Sequence, residues 1–166
     1  MRRLYRWQIS LIASLVLVAN SWGVAHAQHL KKCREKIESD IQTIVSEPDR
    51  DKRIDLSTEL AFFVRDHPNC GQSPKIVDKF AALLNDNVDG VRMGAAMALG
   101  YIGPPAMRAV PALKAAVKRS DAIMDAEPYT LLPPNSSGEA ARTALREITG
   151  KRVPGYQEGW KNTGGN

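Results

Sequence analysis

Apolar residues recur along this chain at spacings of three and four, and the recurrence is densest between Asp89 and Gly103. There Val91, Ala95, Ala98, Leu99 and Ile102 fall on one face of an α-helix. Gly100 weakens that helix and Gly103 ends it, with Pro104 and Pro105 blocking continuation. Ala95, Ala96 and Ala98 are small and let a neighbouring helix approach closely. A helix with so little bulk makes no core alone and needs partners on both sides. Asp89 is placed to cap it, and Arg92 lies one turn on.

The flanking pattern predicts two further pairs of helices. Upstream, Cys33, Ile37, Ile41, Ile44 and Val45 make one apolar stripe, broken at Glu47-Pro48-Asp49. Ile54, Leu56, Leu60, Phe63 and Val64 make a second, ended at His67-Pro68-Asn69. Pro74 opens the helix that precedes the central one, with Ile76, Val77, Phe80, Leu83 and Leu84 inward and a turn at Asn85-Asp86-Asn87. Downstream, Val77, Phe80 and Leu84 align with Val110, Leu113 and Val117 at an offset of 33, whereas Ala95, Ala98, Leu99 and Ile102 align with Ala141, Ala144, Leu145 and Ile148 at 46. The turn of that last pair therefore carries 13 extra residues between Ser120 and Gly138. This insertion, with Tyr129, Leu131 and Leu132, is expected either to bind a partner or to fold back over an end of the structure.

The central residues, D-x-V-R-x-x-A-A-x-A-L-G-x-I-G from Asp89 to Gly103, resemble the second helix of a bacterial HEAT repeat of the phycobilisome-lyase-like kind. The resemblance implies a short right-handed α-solenoid of about three helical hairpins, roughly 30–67, 74–103 and 106–150, acting as an interaction scaffold. It implies that Asp89 and Arg92 are structural, forming ladders between layers. Thr149-Gly150 followed by Gly155-Tyr156 and Trp160 is similar to the chain ends of such proteins, which implies a tail, 151–160, docked on the last helix through Tyr156 and Trp160. Residues 161–166 are expected to be disordered. Second helices line the concave side in that family. Met93, Met97 and Tyr101, at i, i+4 and i+8 on a face apart from the core stripe, are therefore expected to look into a groove. The alternative is that this strip is core for the insertion, with Tyr129, Leu131 and Leu132 lying over it.

The N-terminus changes how charge and cysteine content are read. Arg2, Arg3 and Arg6 precede an apolar run over residues 9–19, and Ala25-His26-Ala27 has the small-x-small form of a cleavage site. The run is too short to span a bilayer. We read residues 1–27 as a signal peptide, so the mature domain, 28–160, is periplasmic or secreted and does not insert in a membrane. Cleavage removes three of 23 basic residues and none of the 18 acidic ones, and the net charge falls from +5 to +2. With no dense basic stripe, nucleic acid is not an expected partner.

Two cysteines in an exported chain, Cys33 and Cys70, fall where an antiparallel hairpin brings its ends together and are expected to form a disulfide. The competing arrangement is a metal site of His29, Cys33, His67 and Cys70, spaced H-x3-C and H-x2-C. No G-x-S-x-G, H-E-x-x-H or phosphate-cradling loop occurs, so neither catalysis nor a cofactor is expected. The expected function is an exported protein–protein interaction scaffold, a monomer that binds another protein. The alternatives are a small inhibitor or immunity-type protein that plugs a target enzyme, or a metal-binding accessory using the four residues just named.

Overall fold

The computed structural model describes residues 25–126 and 137–154, and every regular element among them is helical. In order they are α1 (25–46), α2 (Arg50–Asp66), α3 (Pro68–Gly71), α4 (Pro74–Leu83), α5 (Asp89–Ile102), a 3-10 segment (Pro104–Ala109), α6 (Val110–Ala126) and α7 (Ser137–Thr149). The fold is all-α. Among the described residues no helix is long and apolar enough to cross a membrane.

Local chemistry sets the boundaries. The Asp49 carboxylate accepts the Lys52 N–H at 2.9 Å and so caps α2. Pro74 sits in the first turn of α4, where its missing N–H removes no helical hydrogen bond. Gly103 stops α5 with φ of +71°, a conformation that side chains with a Cβ rarely adopt, and Pro104 follows at once.

Buried residues from all the major helices join in one core. Ile37, Ile41 and Ile44 of α1, Leu60 and Val64 of α2, and Ile76, Val77 and Phe80 of α4 meet the central helix through Val91, Leu99 and Ile102. Leu113 of α6 and Leu145 and Ile148 of α7 complete it. The central helix packs directly on both α2 and α7, and α6 packs on α7. Small residues permit this. A Cβ on Gly94 would stand 2.8 Å from the Ser57 carbonyl oxygen, so α2 and α5 touch backbone to backbone at that point. The Ser57 hydroxyl seals the contact, donating to the Ile54 carbonyl at 2.8 Å and reaching Gly90 O at 3.3 Å.

Three expectations are corrected. Val45 is 54% exposed rather than core, because the buried stripe of α1 runs through Cys33, Ile37, Ile41 and Ile44 and the next residue turns away. The cysteines do not mark the two ends of a simple hairpin: α1 is already helical at residue 25, and Cys70 lies in α3, a short helix that restarts at Pro68. Asp89 is the first residue of α5, with Val88 at the cap position, and its side chain makes no capping bond to its own helix.

Cys33 and Cys70 are joined in a disulfide with their Cα atoms 5.8 Å apart, both buried. An ion pair of 2.7 Å between Lys75 and Glu38 also ties α4 to α1. The expected cut after Ala27 would remove none of the core contacts, since residues 25–29 are exposed and the first buried residue of α1 is Cys33.

Candidate functional site

The feature most suited to binding lies where α2, α5 and α7 run side by side. Its floor is made of small residues, Ala96 and Gly100 of α5 with Ala140 and Ala144 of α7. Their size sets the depth: a Cβ on Gly100 would stand 3.2 Å from the Ala144 Cα, so the two helix backbones nearly touch there. Longer side chains rise around this floor. Thr58 and Phe62 of α2 form one wall, Glu139, Thr143 and Glu147 of α7 the other, and Met93, Met97 and Tyr101 line the middle. The groove encloses about 550 Å³, within the range typical of ligand sites.

Each component has a helical reason. Met93, Met97 and Tyr101 recur every four residues on α5, one face round from the core stripe, and all three are half-buried. Met97 and Tyr101 rest against the core. Phe62 is 39% exposed, an unusual position for a phenylalanine facing only solvent. Across the groove, Glu139, Thr143 and Glu147 occupy on α7 the places of the strip at the offset of 46 that aligns the two cores. That acidic wall was not read from the sequence. The internal alignment held the signal, because the offset that pairs Leu99 with Leu145 also pairs Met93 with Glu139 and Tyr101 with Glu147. Tyr129, Leu131 and Leu132, expected near this strip, lie outside the described residues, as do Tyr156 and Trp160.

A second cluster holds the helices in register at the turn edge. Arg53 of α2 donates from Nε to the Ile44 carbonyl at 2.9 Å, which closes the α1–α2 turn, and its Nη2 pairs with the Asp86 carboxylate in the next turn along. Arg92 closes the following turn, with Nη1 donating to the Asp86 carbonyl at 2.8 Å and Nη2 to the Asp89 carboxylate at 2.6 Å, and its Nε reaches the Ser137 hydroxyl at 3.5 Å. Asp89 in turn accepts from the Ser137 hydroxyl at 2.6 Å, and from the Ser137 N–H at 3.4 Å. Its carboxylate thus reaches the start of α7, where the N-terminal end favours negative charge, rather than a backbone N–H of its own helix. Arg119 of α6 reaches back to the Leu84 carbonyl at 3.1 Å. Arg142, also buried, holds Asp121 of α6 at 2.5 Å and the Pro154 carbonyl at 2.6 Å, anchoring the chain that follows α7. The sequence pattern does not single out Arg53, Arg119 or Arg142, because a lone arginine carries no periodic signal.

Burial by itself would raise the Asp89 carboxyl, but the Ser137 hydroxyl and the Arg92 guanidinium together outweigh it and hold the group below its ordinary range. A carboxyl depressed by folding adds stability above its unfolded value and loses it as pH falls through the folded one. Asp89→Asn is therefore expected to cost about 1 kcal/mol at pH 7, the low end for bonds to a charged acceptor because the side chain is half exposed. The gap between variant and parent should close below roughly pH 4. Urea midpoints at pH 7 and pH 3 check this, and an equal gap at both would contradict it.

No family model, curated protein or solved structure matches this chain. The chemistry of the site must be read from its own residues. The disulfide takes both cysteines of the four-residue metal set, leaving His29 and His67 exposed and without thiolate partners. His67 instead stacks at a tilt on Phe63, with 4.7 Å between ring centres. Among the described residues no group of three or more His, Cys, Asp and Glu converges on a metal position. Glu139 and Glu147 stand two turns apart on α7, about 12 Å along the helix, farther than two carboxylates that work on one bond. What the groove offers is shape, adaptable apolar contact and two negative charges.

Proposed function

We propose that this chain is an exported protein-binding scaffold built as a short right-handed stack of three HEAT-like hairpins. Its second helices, α2, α5 and α7, line the concave side, and the groove between them takes a segment of another protein. The domain is periplasmic or secreted, works as a monomer, and carries out no catalysis. One observation supports this above the others: two methionines and a tyrosine line an open groove in the middle of the molecule with Phe62 beside them. Methionine adapts to irregular surfaces, and aromatic side chains give contact area at low entropic cost.

The direct continuity of α2, α5 and α7 supports a stacked architecture, since each layer buries what its neighbour leaves open. So does the repeated arginine motif, in which Arg53 and Arg92 each close their own turn and reach the next, Arg53 at Asp86 and Arg92 at Ser137. Export is supported by the buried disulfide, which suits an oxidising compartment.

Photo-cross-linking tests the reading. A benzophenone side chain in place of Met97 should give adducts with a partner in the native envelope. The same group in place of Met107, which is 52% exposed and outside the groove, should give none. Equal labelling from both positions would reject the groove as the binding surface.

A further inference from the structure

The groove has a polarity as well as a shape. Among the described residues that line it, Glu139 and Glu147 are the only ones charged at neutral pH, and both stand on the α7 wall. Each touches an arginine of its own helix, Glu139 with Arg142 at 3.5 Å and Glu147 with Arg146 at 3.0 Å. Neither arginine lines the groove, and Arg142 is itself taken up by Asp121 and the Pro154 carbonyl. At the end of the opposite wall Arg65 lies over the Phe62 ring at 4.8 Å and is paired with Asp66. The surface a guest meets is therefore an apolar floor with negative charge along one side.

Dimensions narrow the guest further. The strip from Met93 to Tyr101 spans about 12 Å, at 1.5 Å per helical residue. An extended chain turns every second side chain to the same face, so an anchor and its neighbours along that face can all meet the groove over that length. We infer that the groove takes an extended segment of a protein partner bearing an apolar anchor flanked by two basic side chains four residues apart. At about 3.3 Å per residue, four residues of extended chain match the separation of Glu139 and Glu147. The anchor sits among Met93, Met97, Tyr101 and Phe62, and the two cations make charge-assisted contacts with the carboxylates. This inference rests on reading the groove as a binding site.

The test is selection of a random seven-residue peptide pool on the intact oxidised protein at low salt, followed by affinity measurement on the enriched peptides. Lysine or arginine should be enriched at two positions four apart around an apolar residue. Affinity should fall about tenfold for E139Q/E147Q and by a similar factor when salt is raised from about 0.05 to 0.5 M. Enriched peptides without the basic pair, or an E139Q/E147Q affinity within twofold of the parent, would overturn the inference. Met97→Trp, which fills the groove without changing its charge, separates the two levels. Peptides lost with Met97→Trp but indifferent to E139Q/E147Q leave the groove standing and remove its preference for cations. Peptides indifferent to both bind elsewhere and remove the groove as well, as does the absence of any enrichment.

Discussion

Replacing Cys33 and Cys70 together by alanine is expected to cost about 2–4 kcal/mol, the largest loss of stability among the changes considered for this chain. The bridge spans 37 residues of sequence, and releasing a loop of that size returns about 4 kcal/mol of chain entropy to the unfolded state. Its position explains why the loss should fall unevenly. Ile37, Ile41 and Ile44 hold α1 to the core along one of its faces. The disulfide fastens the N-terminal half of α1 to α3, and the Arg53 contact with the Ile44 carbonyl fastens the other end. Without the bridge, amide exchange should rise first in the N-terminal half of α1, and the melting temperature should drop by about 10 °C. Equal melting temperatures for parent and variant would show that the bridge contributes nothing.

How far the sequence spoke for this fold depended on whether a feature repeats. The central helix was legible because five inward residues recur with helical spacing and Gly103 and Pro104 end it, and all five are buried. The two alignment offsets were legible for the same reason: Ala141, Ala144, Leu145 and Ile148 are buried like their counterparts, and Leu113 and Val117 follow Phe80 and Leu84 into the core. The Cys33–Cys70 pairing followed from topology, although α3 did not, because a four-residue helix has no period to detect. Arg53, Arg119 and Arg142 were invisible for a different reason. They work through carbonyls and carboxylates 9 to 35 residues away, and such contacts leave no local pattern. Of the groove, the α5 strip was legible from its departure from the core face, whereas Phe62 was hidden beside Phe63, the adjacent residue that does pack inward.

The second large effect is expected on binding. Met93→Gln and Met97→Gln together keep the length of both side chains and the charge of the groove while removing its apolar centre. Central apolar anchors commonly carry 2 kcal/mol or more of an interface, so partner affinity should fall at least thirtyfold. Stability should change little, because both methionines are half-buried and their polar replacements keep access to water. If instead the strip is core beneath the insertion, two amides would be shut away unpaired, costing several kcal/mol and leaving any partner surface elsewhere intact. The decisive measurement is therefore partner affinity and melting temperature on the same double variant. A folded monomer that melts within a few degrees of the parent and binds at least thirtyfold more weakly is the predicted result. A variant that unfolds readily while the remaining folded fraction binds its partner undiminished would contradict it and assign Met93 and Met97 to the core.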